Sequence, residues 1–144
     1  MKHQRKGGYL ISKIHQLSNR IFTKLLADHE IDINSAQGRI LFPLWRKDGI
    51  SIAELSQKTA LGKSTLTSML DRLDESGHIK RVHSEDDRRK ILIFLTEKSK
   101  DLSNKYLTVS QDMTKLFYQD FSSEEIDQFE GYLERLLNNL QKEK

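Results

Sequence analysis

Cysteine is missing from this 144-residue chain, which excludes a disulfide framework, thiolate zinc sites and thiol-based redox sensing. Proline occurs once, at Pro43. No stretch approaches the roughly 18 uninterrupted apolar residues of a membrane span. The basic start, Met1-Lys2-His3-Gln4-Arg5-Lys6, is not followed by an apolar run of signal-peptide length, so a cytoplasmic protein without a membrane partner is expected. Catalytic spacing is equally scarce. Gly7-Gly8 is a lone dipeptide, no Gly-x-Gly-x-x-Gly occurs, and Gly62-Lys63-Ser64 lacks the upstream glycine of a phosphate-binding loop. No nucleophile stands with a base. The histidines, His3, His15, His29, His78 and His83, include no pair four apart on one helix. Neither an enzyme nor a cofactor or metal site is expected.

What is present suits one compact domain with helical extensions. With 36% hydrophobic and 31% charged residues, the apolar material is modest for the length, so part of the burial is expected from a partner subunit. Net charge is only +3, but its distribution is uneven. Residues 1–50 carry nine Lys/Arg against four Asp/Glu, and residues 96–144 carry seven against ten. The first 27 residues hold six basic side chains and no acidic one. A basic face suits a polyanion, and equally an ordinary solvated helix.

Leu10, Ile14, Leu17, Ile21 and Leu25 recur at spacings of three and four and predict a helix over residues 9–27. Asn34 with Gln37 makes a capping-box pattern opening a second helix, which Gly49 is expected to stop and Pro43 to kink near Arg39. Ser51 with Glu54 starts a short third helix, broken by Ala60-Leu61-Gly62. A fourth helix covers about Lys63 to Ser76. His78 to His83 and Ile91 to Leu95 are β-compatible runs that predict an antiparallel hairpin with a charged tip. Thr96 is expected to cap a long helix bearing Leu102, Tyr106, Val109, Met113 and Leu116. Ser122 and Glu125 cap a last helix bearing Ile126, Phe129, Leu133, Leu136 and Leu140. These heptad-like seams suit helix-on-helix packing, within the chain or against a second copy.

Short helix, tight turn, second helix, then hairpin is the order of a winged helix-turn-helix. Advancing 100° per residue from Ser64, Leu66, Met69, Leu70 and Leu73 fall between about 140° and 240°, one apolar side. Ser64, Thr65, Thr67, Ser68, Asp71, Arg72 and Glu75 occupy the other side and its flanks. Short hydroxyl side chains let a helix approach DNA closely, and Arg72 can reach a guanine edge or a phosphate. An ordinary solvated face is usually richer in Lys and Glu. At the hairpin tip, Arg88, Arg89 and Lys90 can contact a minor groove or phosphates, with Asp86 and Asp87 orienting them.

The run Leu61-Gly62-Lys63-Ser64-Thr65-Leu66-Thr67-Ser68-Met69-Leu70-Asp71-Arg72-Leu73, then Gly77-His78-Ile79, resembles the recognition helix of the MarR family of bacterial regulators. Asp87-Arg88-Arg89 followed by Leu95-Thr96 looks like that family's wing and its exit into the dimer helix. The resemblance implies a mainly α protein with a small β-hairpin wing. Its winged helix-turn-helix DNA-binding domain, residues 34–95, would be flanked by dimerisation helices in 1–33 and 96–144. It further implies a homodimeric regulator, a repressor by expectation, that reads double-stranded DNA at a palindromic site. By position, Ser64, Thr65, Thr67, Ser68 and Arg72 would face the major groove, with Lys63 at the start of the same helix, and Arg88 or Arg89 would supply the wing contact. Asp71 and Arg89 match a pair often salt-bridged between helix and wing, which would make Arg89 structural and Arg88 the contact. Dimerisation would use Leu10, Ile14, Leu17, Leu116, Phe129, Leu133, Leu136 and Leu140. Many members bind small anionic phenolic effectors in a crevice between the dimer helices and the DNA-binding part, but no residue here marks such a pocket. Two other readings stay open: a metal-responsive regulator of the same fold, and a winged helix that binds protein instead of DNA.

Overall fold

The computed structural model describes residues 4–143; His3 lies outside them. Elements run α1 (Gly7–Asp28), α2 (Ser35–Arg46), β1 (Ile50–Ser51), α3 (Ile52–Thr59), α4 (Lys63–Glu75), β2 (Ile79–His83), β3 (Ile91–Leu95), α5 (Glu97–Phe117) and α6 (Ser123–Gln141). The protein is mainly helical with a small antiparallel sheet. No described helix is long and apolar enough to cross a membrane.

The start signals operate largely as read. Asn34 and Gln37 close a reciprocal capping box, as do Ser122 and Glu125. Ser51 accepts from the Glu54 amide at 3.1 Å. Pro43 lies inside α2, and the helix ends at Arg46 rather than at Gly49, because Lys47 turns extended. Gly49 has another task. At φ +71° it turns the chain so that its N–H donates to the Ile93 carbonyl at 2.9 Å, starting β1. The sheet therefore has three strands in the order β1-β3-β2, with Ile50 opposite Ile93 and Arg81 opposite Ile93 from the other side. A two-residue strand carries no period, which is why the hairpin alone was legible in the sequence. Thr96 stands directly before α5 and has a second task. Its carbonyl takes the Lys100 amide at 3.0 Å at the start of α5, and its hydroxyl donates to the Gly77 carbonyl at 2.6 Å, tying that start to the root of β2.

The chain divides into two compact units at Ser110/Gln111, inside α5. The core of the first unit takes Leu26, Ile31 and Ile33 from the N-terminal side, Leu41, Leu55, Leu66, Leu70 and Ile93 from the middle, and Tyr106 and Val109 from α5. Tyr106 packs edge-on to Phe22 and tilted on Trp45, with centroids 5.5 and 4.9 Å away. Its ring lies so close to α2 that only glycine fits at Gly38: a Cβ there would meet Tyr106 Cε2 at 2.5 Å. In the second unit, Tyr118 donates to Glu130 at 2.6 Å among Phe121 and Phe129, and burial followed by that carboxylate pushes its hydroxyl up to about 12. α6 buries none of its residues within the single chain.

Candidate nucleic-acid interface

α4 is anchored and exposed on opposite sides. Leu66, Leu70 and Leu73 are fully buried, while Lys63, Ser64, Thr65, Thr67, Ser68, Asp71 and Arg72 are all exposed. The two sides follow from the 100° rotation per residue, since three leucines spaced four and three apart share one stripe. Gly62 sits at the N-cap position and offers no side-chain acceptor, so the first amides of α4 face outward uncapped. The preceding turn is fixed by Ala60 in the left-handed region, by the Ser56 hydroxyl on the Leu61 carbonyl at 2.7 Å, and by the Leu61 amide on the Thr59 hydroxyl. These contacts set the angle between α3 and α4.

The expected pairing of Asp71 with Arg89 is not formed. Asp71 binds Arg81, whose Nη1 lies 2.6 Å from Oδ1, and the same guanidinium holds Asp74 through Nη2 at 3.0 Å. Arg81 projects from β2 towards α4, whereas Arg89 lies in the loop beyond the strands, 91% exposed, with Nε on Asp87 at 3.2 Å. Reach decides the matter, because the strand residue is the nearer cation. The Asp71 carboxylate, with Asp74 behind it, raises the Arg81 guanidinium above its ordinary value. Asp71 and Asp74 share one face of α4 at i and i+3, which is the signal that a single cation could serve both.

The wing loop is compact. The Asp87 carboxylate accepts from the Arg89 amide at 3.0 Å, and Ser84 N–H donates to the Lys90 carbonyl at 2.9 Å. His83 Nδ1 lies 2.9 Å from the Arg88 carbonyl, and since a carbonyl can only accept, that nitrogen carries the proton. The side chains of Arg88, Arg89 and Lys90 are exposed. Lys63 from α4 and Arg89 and Lys90 from the loop flank a common cleft of about 260 Å³.

A further residue escaped the sequence. His78 has no exposed surface; its Nδ1 lies 2.8 Å from Ser99 Oγ, while Nε2 is 3.4 Å from Asp32 without hydrogen-bond geometry. Its backbone receives the Thr96 amide and donates to Leu73. Burial lowers the imidazole below 6.5, Asp32 pulling the other way. One isolated histidine before a strand gives no sequence signal for such a junction. Among the described residues no group of three or more His, Asp or Glu is arranged to hold a metal ion.

Comparison with known proteins bears on this geometry. The MarR family model matches residues 33–91, from α2 through the loop after β2 to the first residue of β3. The organic hydroperoxide resistance transcriptional regulator of Bacillus subtilis is 32% identical over 111 residues, 77% of this chain and 74% of that protein. The chain belongs to the MarR family. The HTH-type transcriptional regulator TtmR of Methylorubrum extorquens is 38% identical over 86 residues, 60% of this chain. That match takes in 43% of the relative's length, and a match to the Bacillus subtilis regulator YfiV takes in 46% of that one, so the chain spans less than half of either. Among solved structures, mutant MarR of Escherichia coli complexed with operator DNA superposes with a TM-score of 0.83 at 27% identity, covering 90% of this chain and 92% of that one. These relatives are named as transcriptional regulators.

Proposed function

We propose that this chain is a sequence-specific repressor that binds double-stranded DNA as a homodimer on a palindromic site. Residues 34–95 read the DNA, and the helices within 1–33 and 96–144 pair two copies. The observation that carries the reading is the exposure of the hydroxyl-rich side of α4 opposite three fully buried leucines. Recognition helices place their first turns in the major groove, where Ser64, Thr65, Thr67 and Ser68 lie, followed one turn on by Arg72. The operator complex of the Escherichia coli relative supports DNA as the partner.

Pairing is supported by apolar surface left uncovered in the single chain. Leu10, Ile14 and Leu17 on α1 are 47%, 50% and 44% exposed. Leu116, Phe129, Leu133, Leu136 and Leu140 are exposed too. Apolar side chains of this kind on three helices need a partner to leave water. Release by a small anionic ligand belongs to the same reading. A cleft of about 280 Å³ between α2 and α5, lined by Phe42, Trp45, Arg46, Ser103 and Leu107, offers two aromatic side chains and a guanidinium for it.

The test is a gel-shift and footprint on DNA upstream of the chain's own gene. Retardation that weakens steeply with salt is expected, with two protected half-sites about 10 base pairs apart centre to centre. Binding indifferent to salt, or no retardation, would leave a protein-interaction module as the better reading.

A further inference from the structure

In the wing loop the acidic residues precede the basic ones, and Asp87 joins the two runs through Arg89 at 3.2 Å. Glu85, Asp86 and Asp87 come first and Arg88, Arg89 and Lys90 last. Lys90 is drawn back to the root of the loop, where its carbonyl takes the Ser84 amide and its own amide donates to Asp87, both at 2.9 Å. It thus stands next to the last ladder pair, His83 with Ile91. The cleft at this root is lined by Ser51, Ile52 and Ala53 from β1–α3, Lys63 from α4, and Arg89 and Lys90 from the loop. Three cations and no carboxylate line it. Glu54, the acid of α3, is turned to Lys47 at 3.6 Å and Lys58 at 4.0 Å. Neither Lys63 nor Lys90 has an ion-pair partner among the described residues.

We propose that this cleft seats one phosphodiester of the DNA backbone, the strand that separates the groove entered by α4 from the groove faced by the wing. The proposal rests on the DNA-binding reading above. Major and minor grooves alternate with one sugar-phosphate strand between them, so a helix in one and a wing over the next must pass that strand through the gap between them. Here the gap is cationic from both sides, Lys63 on the helix side and Arg89 and Lys90 on the wing side. The loop also carries Glu85 and Asp86, which phosphates would repel, while Asp87 stands beside the root and pairs with Arg89 at 3.2 Å, leaving Lys63 and Lys90 as the cleft's unpaired cations among the described residues. The wing therefore grips by its root, and Lys90 joins the DNA-binding residues as a phosphate contact without sequence preference.

A random-sequence duplex tests this by fluorescence anisotropy across a salt series, with the full chain and the variants Lys63→Gln, Lys90→Gln and their combination. Both positions are exposed, and circular dichroism and a thermal melt check that the variants fold. The homodimer carries two such clefts, so one shared phosphate in each accounts for a slope of about 1.8 in log affinity against log salt, about 12-fold in affinity between 0.05 and 0.2 M. Each single variant is expected to lose at most that slope and the double variant no more than that same amount, while Lys47→Gln leaves it unchanged. A double variant with the wild-type slope overturns the seat, and so does one losing about twice that slope, which means two separate contacts. Were the wild type itself to bind the duplex without salt dependence, the DNA-binding reading would fall instead.

Discussion

Replacing Arg81 by alanine tests the junction between α4 and the wing strand. The guanidinium engages Asp71 at 2.6 Å and Asp74 at 3.0–3.1 Å. Its side chain is 30% exposed and the carboxylates 54% and 41%, so solvent screens both pairs. Exposed pairs contribute about 0.2–1 kcal/mol each, and one planar donor shared by two carboxylates belongs at the upper end. The aspartates left behind at i and i+3 repel by a few tenths of a kcal/mol. The expected loss for Arg81→Ala is therefore about 1–2 kcal/mol in urea unfolding at low ionic strength, shrinking in 1 M salt, where charges are screened within about 3 Å. Pairing the substitution with Asp71→Asn in a double-mutant cycle should show a coupling of about 0.5–1 kcal/mol. Arg89→Ala should stay within about 0.5 kcal/mol of the wild type. If Arg89→Ala costs as much as Arg81→Ala, or if the cycle closes with no coupling, the assignment of Arg81 as the partner of Asp71 is wrong.

Other consequences are equally direct. Gly38→Ala forces a methyl into Tyr106, which is 95% buried (5% exposed), and should cost about 1–3 kcal/mol; a change within 0.5 kcal/mol would show that the ring yields freely. His78 is held below its unfolded value of 6.5, so the unfolded chain binds its proton first. Stability from this residue is complete above that value and should fall as pH drops through it, and thermal melts of His78→Gln should be flatter below pH 6.5; parallel curves would remove His78 from the account. Arg72→Ala should weaken specific DNA binding by about 1–3 kcal/mol in anisotropy titrations, and an unchanged curve would take it off the reading face. Leu133→Asp and Leu136→Asp should yield folded monomers in light scattering, because each charge would be buried in a pair of chains and exposed in a single one. Dimers that persist would move the seam elsewhere.

By itself the sequence determined what depends on neighbours within one helix turn or one strand. Capping boxes at Asn34 and Ser122, the leucine stripe of α4 and the β-compatible runs flanking residues 84–90 are local patterns, and each marks its element. The exposed, hydroxyl-rich side of α4 was readable for the same reason, since one rotation angle settles which side chains share a side. Tertiary structure alone decided what depends on reach across the fold. It chose Arg81 over Arg89 for Asp71, set Ile50 on the free edge of β3, closed His78 between Ser99 and Asp32, and carried the Thr96 hydroxyl to the Gly77 carbonyl. It also divided the periodic seam of α5, burying Tyr106 and Val109 in the chain's own core and leaving Leu116 exposed. Periodicity states that a face is apolar, but what covers that face is a matter of three-dimensional neighbours.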